Sequence, residues 1–217
     1  RDGYSPFGAV FIVAHAANES NWGKSAAAKQ NNNLFGLMGA KGSSNLSTDH
    51  GTLAKFGEGS EDAYESYINR LRSAHEGAWS GSLDLYKKDN FTADELNQAL
   101  HTGKYEGFPA YYTEGGGFSG DYGHKLVDVQ MHAVLGRFIS ALEYLISEND
   151  SRIQKESRKL YQFSQYLNAD QLKEMQTGVE SIQKENENLR NTINELHSIE
   201  SQVNQNFNNG TASTGAN

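Results

Sequence analysis

Residues 7–18 read Phe-Gly-Ala-Val-Phe-Ile-Val-Ala-His-Ala-Ala-Asn and are apolar almost all round. A helix without a polar face has to be buried, so a fold built from this chain must place this helix at its centre. Ser5 is a good N-cap and Pro6 a good first helical residue, which fixes where the helix starts. It ends at Glu19, the first charged side chain after Asp2.

The rest of the first 147 residues reads as one compact domain. Periodic apolar positions predict helices over 61–77 (Tyr64, Tyr67, Ile68, Leu71), over 92–101 and over 122–147 (Leu126, Val129, Val134, Phe138, Leu142, Leu145). Thr92 with Glu95 three residues later is a capping box. The stretch 42–60 interleaves Ser, Gly, Thr and Asp with Leu46, Leu53 and Phe56, which predicts a small hairpin or irregular lobe. The expected class is α+β, mainly α, with a small β lobe.

Composition changes near residue 148. Beyond it the aromatic residues are Tyr161, Phe163, Tyr166 and Phe207 alone. Leu172, Val179, Asn186, Ile193 and Glu200 fall at one core position of a heptad. Met175, Ile182, Leu189, Leu196 and Val203 fall at the other, which is a coiled-coil seam. Asn186 is the kind of polar core residue that fixes register and partner number. The pattern slips at Asn168–Gln171, which also reads as a helix cap. Two readings remain open: a long helix that forms a homo-oligomer or docks through 172–203, and a helical hairpin folding back. The expected division is a globular domain at 1–147, a helical coiled-coil region at 148–206 and a disordered polar tail at 207–217.

Several function classes drop out. The chain has 217 residues and no Cys, so there is no disulfide scaffold and no thiolate nucleophile. A net charge of −8 argues against a non-specific nucleic-acid binder. No apolar run is long enough to span a membrane. The histidines show no metal-ligand spacing, and nothing calls for a cofactor. The chain opens on Arg1 with no signal-peptide pattern, so it reads as part of something longer.

Glu19 is the residue with the most chemistry. Partial burial and the negative end of the helix dipole both disfavour its charge and favour a protonated acid. A protonated carboxylic acid is what a general acid in glycoside hydrolysis must be. By itself the signal is weak, because most glutamates at helix ends are solvated. The surrounding residues add to it: Ala14-His-Ala-Ala-Asn-Glu19-Ser-Asn-Trp-Gly-Lys-Ser25, then Asn32-Asn-Leu-Phe-Gly36 and Leu37-Met-Gly39. This pattern resembles the bacterial cell-wall glucosaminidases of glycoside hydrolase family 73, including the muramidase-like half of the flagellar rod-assembly protein. The resemblance covers roughly residues 5–145 and is strongest at 14–39.

That resemblance implies a lysozyme-like fold, with a groove that binds the glycan strands of peptidoglycan. By the same resemblance the bond cut would be the β-1,4 link after N-acetylglucosamine, with Glu19 as general acid. Asp49 leads as second carboxylate by position, one methylene shorter than the family's Glu; Glu58, Glu61, Asp62 and Glu114 are further candidates. Alternatively the substrate's own 2-acetamido group attacks and Tyr111 orients it. Trp22, Asn32, Asn33, Phe35, Tyr105, Phe108, Tyr112, Glu114 and Tyr122 are the expected substrate-binding residues, although by residue type Trp22 also reads as a core aromatic supporting the turn, Asn32 and Asn33 as loop-fixing amides and Phe35 as core; Gly115–Gly117 resembles a flap. The helical extension adds the expectation of a larger wall-penetrating assembly such as a phage tail or virion, outside the cytoplasm. A structural or glycan-binding component, or a secreted autolysin, is the alternative.

Overall fold

The computed structural model describes residues 3–37, 39, 44–48, 51–57, 61–73, 80–101 and 122–214. Contacts group the chain into two units: Arg1–Val134 with Glu200–Asn217, and Leu135–Ile199. The architecture is the mainly helical α+β arrangement expected from the sequence.

Helix α1 (Pro6–Glu19) is central to the first unit. The Ser5 hydroxyl accepts the Gly8 N–H at 2.9 Å, so the expected cap is formed. Phe7, Val10, Phe11, Ile12, Ala14 and His15 are buried. Val13 turns outward, so the helix is covered on most sides but not on all. Helix α2 (Ala26–Asn31) follows one short turn later, capped by Ser25. Strands β1 (Ser47–Thr48) and β2 (Gly51–Thr52) form a two-residue antiparallel hairpin, Ser47 opposite Thr52 and Thr48 opposite Gly51. The helices α3 (Glu61–Ser73), α4 (Ser80–Leu85) and α5 (Ala93–His101) come next. The capping box of α5 is made in both directions, Glu95 N–H to Thr92 Oγ1 at 3.1 Å and Thr92 N–H to Glu95 Oε2 at 2.9 Å. The Thr92 N–H and the Lys88 ammonium hold the Glu95 carboxyl below the usual carboxylate range.

The last helix of the unit departs from a plain α-helix. A short turn α6 (Tyr122–His124) opens into a π-helical segment, Lys125–Gln130, before α7 (Met131–Phe163) begins. Leu126 and Val127 are adjacent in sequence and both wholly buried. The wider turn lets both face inward, and this segment packs on α1. The unit is closed from the other end of the chain. Val203 is buried, and Asn206 Nδ2 donates to the Phe91 carbonyl at 3.1 Å.

One close approach seats α1. The backbone of Tyr86 lies against Gly8, where an added Cβ would stand 2.0 Å from the Tyr86 carbonyl oxygen. That same oxygen accepts the Ser5 N–H at 3.0 Å. Neither side can yield, because both are backbone. Gly8→Ala is expected to destabilise the protein by about 3 kcal/mol or more, read as a lowered denaturation midpoint at unchanged slope.

The second unit is a helical hairpin. Residues 135–163 of α7 and 169–199 of α8 (Ala169–Thr214) are joined through a 3₁₀ turn at Ser164–Tyr166. The break is the capping box read from the sequence: Gln171 N–H donates to Asn168 Oδ1 at 2.9 Å and Asn168 N–H to Gln171 Oε1 at 3.1 Å. Of the two readings left open, the chain takes the fold-back one. The seam residues Leu172, Met175, Val179, Ile182, Leu189 and Ile193 are each less exposed than the residues flanking them. Asn186 is buried and its Nδ2 donates across the hairpin to Asp150 Oδ1 at 2.7 Å. Its own Oδ1 is buried without a partner. A buried carbonyl with no donor costs on the order of 1 kcal/mol or more, while Asp150 is about half exposed and can return to water. Asn186→Leu is therefore expected to raise stability by about 1 kcal/mol; a lowered melting temperature would show that the cross-hairpin bond outweighs the orphaned carbonyl.

Candidate active site

Glu19 is the last residue of α1, and the backbone after it reverses at once. Ser20 is buried and its Oγ accepts the Gly23 N–H at 2.9 Å. Asn21, Trp22 and Gly23 are consecutively left-handed, with φ of 49°, 57° and 73°. For Asn21 and Trp22 that conformation costs roughly 1–2 kcal/mol each, and the turn's hydrogen bonds must hold it. Trp22 N–H donates to the Ala17 carbonyl at 2.8 Å and Ser25 N–H to the Ser20 carbonyl at 2.9 Å. The turn therefore ends α1 sharply, starts α2, and leaves the carboxylate at a fixed place.

The second half of the motif comes back to that carboxylate. Asn32 is the left-handed C-cap of α2, and its Nδ2 donates to the Gly57 carbonyl. Asn33 is wholly buried; its Nδ2 donates to the carbonyls of Leu37 and Ala54 at 2.8 and 3.1 Å, and its Oδ1 accepts the Leu37 N–H at 3.0 Å. Phe35 is buried and stacks on Tyr67 with ring centroids 4.3 Å apart. Gly36 then arrives with φ of 63°, and a Cβ there would stand 3.8 Å from Glu19 Oε2. Glycine supplies the left-handed backbone, and its missing side chain would have lain against the acid.

Beneath the acid lies a residue not singled out from the sequence. The His15 ring is wholly interior, one helical turn before Glu19. Its Nε2 lies 3.8 Å from Glu19 Oε1, and the Glu19 side chain is 18% exposed. Asn18 Nδ2 also reaches Oε1, at 3.2 Å. Burial drives the His15 pKa down from 6.5 to about 3, so the ring is neutral and its contact with Glu19 is not an ion pair. His15 Nδ1 shares a hydrogen bond with Tyr67 Oη at 2.9 Å, and Tyr67 Oη another with Tyr86 Oη at 3.0 Å.

The expected site residues separate by place. Glu19, Trp22, Asn32, Asn33 and Phe35 come together in this motif. Trp22 is partly exposed rather than a core aromatic. Asn33 and Phe35, candidates for the substrate by the resemblance, are buried; Asn33 fixes the loop and Phe35 packs in the core, as their residue types suggest. Glu61 and Asp62 lie exposed in the first turn of α3. Asp49, Glu58, Tyr105, Phe108, Tyr111, Tyr112, Glu114 and the run Gly115–Gly117 lie outside the described residues, as does the side chain of Tyr122. A cavity of about 520 Å³ opens beside the loop, lined by Lys29, Asn32, Lys55, Phe56 and Gly57 among others. Among the described residues no cluster of His, Asp or Glu suits a metal ion, and no helix is long and apolar enough to cross a membrane.

A partly exposed carboxylate at a helix end suits acid chemistry on a neutral substrate. The match to known families agrees with that class. Residues 6–133 match the glucosaminidase family model, described as mannosyl-glycoprotein endo-beta-N-acetylglucosaminidase. The chain belongs to this family and is a glycoside hydrolase acting on peptidoglycan. No curated protein and no solved structure matches it.

The neutral His15 has a consequence for stability. The unfolded chain takes up a proton at this histidine below about pH 6.5, whereas the folded chain does so only near pH 3. Its contribution is complete above pH 6.5 and is lost as pH falls through that window, by up to about 1.4 kcal/mol per pH unit. In urea titrations between about pH 6 and pH 4, His15→Gln is expected to lose less stability on acidification than the parent; parallel profiles would mean that His15 is protonated in the folded chain.

Proposed function

We propose that Glu19 is the general acid of an endo-β-N-acetylglucosaminidase that cuts the β-1,4 bond after N-acetylglucosamine in peptidoglycan glycan strands. The observation that carries this is the placement of the Glu19 carboxylate. It sits at the end of a buried helix, with a buried neutral histidine beside it and its own side chain 18% exposed. A leaving-group oxygen would approach from the exposed side. The neutral side brings no cation that would hold the acid ionised. The second catalytic function then falls to Asp49, or to the substrate's acetamido group oriented by Tyr111.

A wall substrate calls for an enzyme outside the cytoplasm, in the wall or on a virion that must pass it. The helical hairpin, with Tyr144, Tyr161 and Tyr166 largely exposed, favours a component of a larger wall-penetrating assembly over a free-standing enzyme.

Glu19→Gln keeps the shape of the side chain but removes the transferable proton. It should fold normally, by circular dichroism and melting temperature, and lose cleavage by roughly 10²- to 10⁴-fold. A peptidoglycan digest, borohydride-reduced and read by mass spectrometry, should show reduced N-acetylglucosamine ends for the parent. Reduced muramic ends would move the cut to the other bond. No new ends would leave a glycan-binding module.

A further inference from the structure

We infer that His15 is a positioning residue for the acid: the buried chain Tyr86 Oη–Tyr67 Oη–His15 Nδ1 fixes the ring so that Nε2 serves Glu19 Oε1 in whichever protonation state the carboxyl holds. The inference rests on the reading of Glu19 as general acid. Its basis is geometric. His15 and Glu19 lie one turn apart on α1, so their side chains share a face. His15, Tyr67 and Tyr86 are almost or wholly without exposure, so the chain of three groups is dry. Phe35 and Tyr67 meet the imidazole edge to face, with interplanar angles of 86° in both cases. Phe11 covers it further along α1, with centroids 5.9 Å apart. Packed among these rings, the imidazole has Nδ1 at Tyr67 Oη and Nε2 3.8 Å from Glu19 Oε1. Among the described residues Glu19, Tyr67 and, through Tyr67, Tyr86 are the titratable groups that face it.

The chemistry of a neutral imidazole suits the task. It carries one N–H and one bare nitrogen, and a hydrogen bond at Nδ1 selects which face of the ring donates. When Tyr67 donates to Nδ1, Nε2–H is the donor toward a carboxylate. When Tyr67 donates to Tyr86 and accepts from Nδ1–H, the bare Nε2 accepts from a protonated acid. Either tyrosine hydroxyl can be the donor in the Tyr67–Tyr86 bond, so the chain permits both arrangements. The 3.8 Å separation is longer than a hydrogen bond. Catalytic contacts are commonly loose before substrate binds and tighten when it does.

The test uses the full chain, with His15→Phe, His15→Gln, Tyr67→Phe and Glu19→Gln assayed for new reducing ends on peptidoglycan across pH. His15→Phe is expected to lower kcat by about tenfold or more while KM stays within about twofold. It should also move the basic limb of the kcat profile, which reports the acid's loss of its proton, by about half a unit or more. A move to lower pH would mean that the bare Nε2 had been accepting from the acid. A move to higher pH would mean that Nε2–H had been donating to the carboxylate. Tyr67→Phe should move the limb the same way. His15→Gln offers a donor and an acceptor from an uncharged side chain and should recover most of kcat; where His15→Phe fails to fold, Tyr67→Phe carries the test. A lower melting temperature with an unmoved limb in Tyr67→Phe and in His15→Phe where it folds, and kcat falling only with the folded fraction, would overturn the inference. If Glu19→Gln itself still cleaves, the assignment of the acid is wrong, and the inference falls with it for that separate reason.

Discussion

Tyr86 ties both ends of the central helix to one point of the fold. Its carbonyl receives the Ser5 N–H at the start of α1 and presses on Gly8, where not even a methyl group fits. Its hydroxyl, through Tyr67, reaches His15 near the other end. The helix is thus located by one short-range backbone constraint and one buried polar chain, and the aromatic packing of Phe7 and Phe11 on Phe91 fills the space between them. Hydrophobic burial alone would leave such a helix free to slide by a fraction of a turn, because apolar contact is not directional. Backbone contact at Gly8 and directed bonds at Ser5 and His15 remove that freedom.

With α1 fixed, the motif around Glu19 divides into residues that shape the backbone and residues that meet solvent. Ser20, Asn33 and Phe35 belong to the first group: each is buried, and Ser20 and Asn33 spend their polar atoms on backbone partners. Gly36 belongs there too, as the left-handed residue at which a side chain would lie against the carboxylate. Trp22 and Asn32 remain partly exposed at the rim. A run of fixed residue types around one acid is therefore mostly a specification for a turn with three left-handed residues in succession. The glycan contacts implied by the family resemblance need few of them.

Local signals in the sequence transferred well to the structure. The Ser5 cap, the apolar helix after it, the Thr92–Glu95 box and the Asn168–Gln171 box each depend on residues within a few positions of one another, and each is formed. The seam on α8 was legible as a period, but the period does not say which helix it faces; the cap at Asn168 carried that information. Among the described residues the β lobe shows two residues per strand, with the backbone bonds Leu53 N–H to the Leu46 carbonyl and Ala54 N–H to the Leu37 carbonyl continuing beyond them, and the Asn31, Asn33 and Ser44 side chains hold the loop around it. The π-helical turn at Lys125–Gln130 and the burial of Val203 with the first unit were not legible, since each answers to residues remote in the chain. His15 escaped for the same reason. On α1 it looks like one more interior residue, and nothing nearby in sequence announces Tyr67 or Tyr86.

On the proposed reading of Glu19 as the general acid, a neutral partner has a physical logic. A lysine or arginine in the place of His15 would stabilise the carboxylate and weaken the acid that glycoside cleavage needs. An aliphatic side chain would leave the carboxyl with no directional support from below and free to rotate away from the bond to be cut. Imidazole supplies direction without charge, but only if it stays unprotonated beside a carboxylate that would otherwise attract a proton to it. Complete burial meets that condition, holding the His15 pKa near 3. The cost appears as acid sensitivity of the fold, because the unfolded chain gains a proton that the folded one refuses. The same burial that keeps His15 neutral beside Glu19 therefore contributes to the acid sensitivity of the fold.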